Sequence, residues 1–181
     1  MVADLSPLRG LPLKTLCLLD NQVTDLSPLR GMPLQSLVFQ RNYAIKDLTP
    51  LRGMPLEHLE CAHTNVADLS PLKGMKLKRL SCDQMLVSDL SPLRGMALEV
   101  LSVAHSGRVT DLTPLRGMPL QLLSWIGTAV SDLSPLRGMP LKEIYCEFQR
   151  ERDAEFLRSF KALETINGKS ASEFWKEVDD K

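Results

Sequence analysis

Three histidines (His58, His63 and His105), four cysteines (Cys17, Cys61, Cys82 and Cys146) and the tripeptide Gly168-Lys169-Ser170 are the residues of this chain best suited to chemistry. Glu60 lies between two of the histidines and Asp83 lies further on, so a metal site can be drawn. The spacing argues against it. His63 and His105 fall two units apart in the repeat described below, about 10 Å at parallel-strand spacing. Zinc needs its nitrogens about 2.0–2.1 Å away. Only His58, Glu60 and His63 could share an ion, and solvated histidines on a binding face are the expectation. The cysteines have no Cys-x-x-Cys or Cys-x-x-His spacing, which speaks against structural zinc. Gly168-Lys169-Ser170 ends like a phosphate-binding loop, but Leu163 stands where the upstream glycine is required. Gly-x-Ser-x-Gly, His-Glu-x-x-His and Gly-x-Gly-x-x-Gly are absent. The expectation is a protein that is not an enzyme and carries no cofactor.

What positions these residues is a repeat. Asp-Leu-(Ser/Thr)-Pro-Leu-(Arg/Lys)-Gly begins at Asp4, Asp25, Asp47, Asp68, Asp89, Asp111 and Asp132, at spacings of 21 or 22 residues. All 12 prolines occupy two slots of this unit, seven of the 10 glycines share another, and leucine fills most of the rest. The Ser/Thr slot (Ser6, Ser27, Thr49, Ser70, Ser91, Thr113, Ser134) reads as a helix N-cap whose hydroxyl accepts a free backbone N–H. Proline follows at the first helical position, and Gly10 and its equivalents stop the turn with a left-handed residue. Each unit therefore holds one 3₁₀-like turn. A Met-Pro pair then steers the chain into extended structure. The Asp and Arg slots read as two solvated ladders of opposite sign, each pair worth little.

The strand that follows reads Leu13-x-x-Leu16-x-Leu18-x-x-Asn21-x-Val23, and six further copies repeat it down to Leu141…Ile144…Cys146. This is the leucine-rich-repeat pattern. The short Asp-Leu-Ser-Pro-Leu unit resembles the internalin-type class, which implies a curved α/β solenoid with a parallel concave sheet, single 3₁₀-like turns on the convex side, and a role in protein binding. The asparagine slot departs from that class: Asn21 and Asn42 fit, while Thr64, Met85, Ser106, Thr128 and Gln149 replace it elsewhere. Residues 1–150 read as seven repeats and 151–181 as a C-terminal cap. In the cap, Ala154–Lys161 is expected as a helix and Leu163–Ile166 as a partial strand. A capping box, Ser170-x-x-Glu173, opens a last helix with Phe174, Trp175 and Val178 inward. The ending LETINGKSASEFWKEV, with the repeat wording, resembles repeat-bearing proteins of planctomycete bacteria. Some of those join such repeats to Ser/Thr kinase domains, although no kinase motif occurs in this sequence.

Strand alternation sends the residues between the inward leucines to the concave face. One row is Thr15, Ser36, His58, Arg79, Val100, Leu122 and Glu143. The next is Cys17, Val38, Glu60, Ser81, Ser102, Ser124 and Tyr145. The third is Leu19, Gln40, Ala62, Asp83, Ala104, Ile126 and Glu147. Cys61, Cys82 and Cys146 fall on an inward core slot, and Cys17 falls on the open sheet. Toward the C-terminal end the rows become apolar. Val100, Leu122, Ile126 and Tyr145, with Phe148 at the margin and Arg79, Glu143 and Glu147 as a charged rim, form the expected protein-binding patch. Two readings compete with it: a small-ligand or metal-sensing surface around the histidines, and a consensus-like array without a natural partner.

The chain has 22 Lys+Arg against 22 Asp+Glu, 44% apolar residues and only 5% aromatic ones. Zero net charge speaks against a nucleic-acid or membrane partner, and no apolar run is long enough to span a bilayer. Free thiols and the lack of a signal segment favour a reducing, cytoplasmic compartment. Asp4 opens the first unit without a capping segment before it, so Leu5, Leu8, Leu13, Leu16 and Leu18 are expected at an uncovered end. The expectation is a fragment of a larger signalling or scaffold protein, or self-association through that end.

Overall fold

The computed structural model describes residues 1–180. Seven three-residue strands follow one per repeat: β1 (Thr15–Cys17), β2 (Ser36–Val38), β3 (His58–Glu60), β4 (Arg79–Ser81), β5 (Val100–Ser102), β6 (Leu122–Ser124) and β7 (Glu143–Tyr145). Helix α1 (Arg150–Arg158), strands β8 (Thr165–Ile166) and β9 (Lys169–Ser170), and helix α2 (Ala171–Asp179) complete the chain. The sheet runs β1 to β9 in sequence order. It is parallel and in register from β1 to β8, and only β9 is antiparallel. Leu16, Leu37, Leu59, Leu80, Leu101, Leu123, Ile144 and Ile166 therefore stack in one column. This is a leucine-rich-repeat solenoid.

A 3₁₀ turn opens each repeat, from Ser6–Leu8 to Ser134–Leu136. Its cap differs from the sequence expectation. The Ser/Thr residue is the first residue of the turn, and no side chain caps the helix from the residue before it. The acceptor is the aspartate two residues upstream: Ser27 N–H donates to Asp25 Oδ1 at 2.7 Å, and the Ser27 hydroxyl donates to Asp25 Oδ2 at 2.6 Å. The same backbone bond recurs in all seven units. Proline explains the shift. It removes the next N–H, so the donor needing a partner is the Ser/Thr N–H, and an Asx turn reaches it. Gly10 and its equivalents end the turn at φ near +75°. The Met-Pro step is also more than a connector. Met32, Met54, Met75, Met96, Met118 and Met139 are all buried.

Burial is complete in the middle and partial at the first repeat. Leu29, Leu34 and Leu37 are fully buried, whereas their first-repeat counterparts Leu8, Leu13 and Leu16 are half-buried. Leu5 and Leu18, expected at the same open end, are buried. At the other end, α2 packs on β8 and β9. Phe148 meets Phe174 and Trp175 edge-to-face, with ring centroids at 5.0 and 5.8 Å. The capping box at Ser170 and Glu173 forms with both halves present. Helix α1 starts and stops earlier than expected. Asp153, 1% exposed, accepts the Gln149 N–H at 2.8 Å and fixes the start. The Ser159 hydroxyl bonds Phe156 O at 2.6 Å, where the helix ends.

The asparagine slot shows how each substitution changes the interior. Asn42 is fully buried; its amide donates to Leu18 O and Phe39 O, and its oxygen accepts from Val23 N. Thr64 and Thr128 only reach the carbonyl three residues back, and Ser106 bridges to Cys82 O of the preceding repeat. Replacing Asn42 with alanine leaves three buried backbone groups unpaired. The expected loss is about 2–4 kcal/mol in denaturant unfolding. Asn21→Ala, near the solvated end, should lose less than about 1 kcal/mol.

The aspartate caps give a pH expectation. Hydrogen bonds from the Ser/Thr two residues on hold Asp4, Asp25, Asp47, Asp68, Asp89, Asp111 and Asp132 below the ordinary carboxylate value. A group depressed on folding stabilises above its unfolded pKa and stops doing so as pH falls through its folded pKa. Thermal melts should therefore stay level down to about pH 4 and decline below it. Asp68→Ala should reduce the amplitude of that decline by one cap.

Candidate functional site: the concave face

The three rows expected on the concave face exist, and the register confirms the first two residue by residue. The third continues the ladder past the strand ends. Asp20 N bonds Gln40 O, His63 N bonds Asp83 O, and His105 N bonds Ile126 O. The residue after the third row adopts left-handed backbone in six repeats: Asp20, Arg41, His63, Gln84, His105 and Gly127. Two of the three histidines thus sit at a chain reversal, a conformation histidine visits more readily than bulky residues do.

The faces differ in how well their polar groups are already paired. His58 Nε2 lies 2.8 Å from Glu60 Oε1, and His58 Nδ1 lies 3.3 Å from Ser36 Oγ. Gln40 holds the other Glu60 oxygen. One repeat on, the Asp83 carboxylate accepts Ser102 Oγ and Ala104 N from the next repeat and Ser81 Oγ from its own. Asp83 thus ties two repeats together, a role that its place in the third row does not announce. His63 packs edge-on to Tyr43 at 6.5 Å and is turned to a different neighbour from His58. Among the described residues, no three His, Cys, Asp or Glu side chains converge as a metal-binding set.

The cysteines occupy the expected positions: Cys61, Cys82 and Cys146 are buried and Cys17 is exposed. Burial pushes the Cys146 thiol up to about 12. The hydrogen bond with Cys61, together with burial, raises Cys82 well above a normal thiol. Buried, protonated thiols of this kind are inert core residues. In the former loop-like tripeptide, Gly168 turns β8 into β9, Lys169 pairs with Glu177 at 2.6 Å, and Ser170 caps α2.

The residues of the expected patch are spread over three depressions. Arg79, Val100, Leu122 and Glu143 line one depression of about 360 Å³, with Gln121, Lys142, Glu164 and Thr165. Tyr145 lies beside it, its hydroxyl donating to Glu143 Oε1 at 2.7 Å, which raises the phenol pKa. Ile126 is half-buried in the third row. Glu147 lies across the sheet, in a separate depression of about 210 Å³ with Trp125 and Arg152. Phe148 belongs to the end packing against α2 and lines a third depression there, of about 300 Å³. Its ring is held there by Phe174 and Trp175.

Gly127 is the one reversal residue that requires glycine for space as well as for φ. A Cβ there would lie 3.1 Å from His105 Cα, under the His105 ring, at φ +70°. Gly127→Ala should lower the melting temperature more than Gly95→Ala, where φ is +74° but nothing lies within 4 Å. Paired melts of the two variants check this.

No protein-family model and no curated protein sequence matches the chain. Solved structures do. An internalin from Listeria monocytogenes superposes with a TM-score of 0.79 at 26% identity, covering 93% of this chain and 51% of that one. Internalin C2 of the same organism superposes with a TM-score of 0.73 at 29% identity, covering 81% of this chain and 67% of that one. The chain spans about half the length of the first. Its fold is the leucine-rich-repeat solenoid of these internalins.

Proposed function

We propose that this chain is a non-enzymatic protein-interaction module that binds a protein partner on the C-terminal half of its concave face, within a larger signalling or scaffold protein. The observation that carries the reading is the contrast between slots. The aspartate, proline, glycine and leucine slots repeat almost unchanged through seven units, and only the inward slot after the strand and the asparagine slot vary among core positions, while all three concave rows differ at nearly every step. Within those rows, Val100, Leu122, Ile126 and Tyr145 keep part of their apolar surface in water. The likeness to internalin solenoids supports the same reading. Among the described residues, α2 packs on β8 and β9 at the end of the stack.

Replacing Leu122, Ile126 and Tyr145 together by serine tests it. Capture of partner proteins, identified by mass spectrometry and compared with the parent chain, should be lost. Because the three side chains are half-buried, the melting temperature should fall only a few degrees, at about 2–4 °C per kcal/mol for a chain of this size. Leu123→Ala, inside the column, should cost about 2–5 kcal/mol by itself. Unchanged capture by the triple variant would defeat the proposal.

A second contact surface is favoured by the half-buried Leu8, Leu13 and Leu16 beside the unpaired edge of β1. Edges of this kind pair with further strands. Sedimentation should show concentration-dependent self-association that Leu16→Lys suppresses. A parent chain that is monomeric at high concentration would remove this surface from consideration.

A further inference from the structure

The depression lined by Arg79, Val100, Leu122 and Glu143 has an order that its volume alone does not convey. Along the first concave row, β4 presents a cation, β5 and β6 present two aliphatic side chains, and β7 presents a carboxylate. Arg79 is exposed and makes no ion pair among the described residues. At the far end, Glu143 and Glu164 outnumber Lys142 among the lining residues. That end also holds Thr165, whose Oγ1 is the buried side-chain oxygen without a hydrogen-bond partner among the described residues.

Parallel strands repeat at about 4.8 Å. Measured from Arg79, the centre of the Val100–Leu122 pair lies about 7 Å away and Glu143 about 14 Å away along the row. An extended peptide rises about 3.3 Å per residue and sends residues i, i+2 and i+4 to one side, at about 0, 6.6 and 13 Å. The two spacings agree to about 1 Å. We propose that this row binds an extended peptide segment of the partner with an acidic, an apolar and a basic side chain at alternate positions. The acidic group faces Arg79, the apolar side chain covers Val100 and Leu122, and the basic group enters between Glu143 and Glu164. The mirror order of residues presents the same three groups with the peptide running the other way. This inference rests on the concave-face reading and specifies the partner's chemistry.

The probes are synthetic peptides and a library of random linear peptides, with the intact chain as receptor. Asp-Gly-Leu-Gly-Lys or its reverse, flanked by glycines, should bind more tightly in fluorescence anisotropy than the doubly acidic or doubly basic version. It should also bind more tightly than a version with leucine moved by one residue. Arg79→Glu should weaken the mixed-charge peptide roughly tenfold, the effect of exchanging an attraction for a repulsion at a partly exposed site. The same variant should improve the doubly basic peptide. Affinity should fall with salt. Library ligands that need Leu122, Ile126 and Tyr145 but ignore Arg79→Glu and lack the alternating pattern would overturn this inference and leave the concave-face reading standing. A library that yields only ligands indifferent to the triple serine variant, or none, would remove both.

Discussion

No repeat of this protein can bury its own strand, and the rest of the structure follows from that. Each repeat's strand has three residues, and its central Leu or Ile stacks on the equivalent residues of the neighbouring repeats within one continuous core. A strand of that length is not stable alone. The chain must therefore return, after 21 or 22 residues, to one strand spacing from where it was. Two corners in each repeat do this. One is the glycine that ends the 3₁₀ turn, near φ +75°, and the other, in the first six repeats, is the reversal residue after the third concave row. The Asp–Ser/Thr turn between them keeps its aspartate on the surface and sends the leucine between the two residues, such as Leu26 or Leu48, into the core. Because every corner lands on the same spacing, backbone bonds run from each repeat to the next at four or more points. A single distorted corner would break the column on both sides.

Much of this architecture was legible because it is periodic. The column, the 3₁₀ turns, the glycine stops, the inward cysteines and the register of the concave rows all follow from spacing. What spacing hid was direction and reach. Ser27 and Asp25 are both good capping residues, and only the missing N–H at Pro28 decides which accepts. The buried methionines looked like a prelude to proline because Met is not diagnostic of either place. Strand β9 carried a signal that went unused: Asn167-Gly168 is a two-residue hairpin pair, and both residues have positive φ. Helix α1 starts before its apolar pattern does because Asp153, a buried carboxylate, sets its start from inside the segment. Counting positions puts Phe148 at the margin of the concave patch, but its aromatic neighbours arrive from α2, over twenty residues later in the chain.

The asparagine slot separates what the fold needs from what it tolerates. Asn42 serves four backbone groups at once, a number no hydroxyl can match. Thr64 and Thr128 serve one each, and Met85 serves none with its side-chain polar chemistry, although its amide leans on Ser106. The solenoid continues through these positions because the strand ladder and the reversal bonds remain. The polar spine is therefore strongest at Asn42 and thins out through the repeats that follow. Toward the other end, Asn167 resumes it by bonding both backbone groups of Cys146.

The concave face varies because its side chains add little to the column, but it does not vary evenly in its readiness to bind. Around Glu60 and Asp83 the polar groups satisfy one another: His58 with Glu60, Glu60 with Gln40, and Asp83 with Ser102 and a backbone amide. A ligand there must break these bonds before making its own, and exchange of that kind yields little net free energy. The Arg79–Val100–Leu122 row has no such internal partners. Its apolar groups are half in water, and its guanidinium is free to orient. Contact with a partner would remove water from Val100 and Leu122 without undoing any bond within the chain. The side of the sheet that is least paired is thus the side where binding has the least to oppose it.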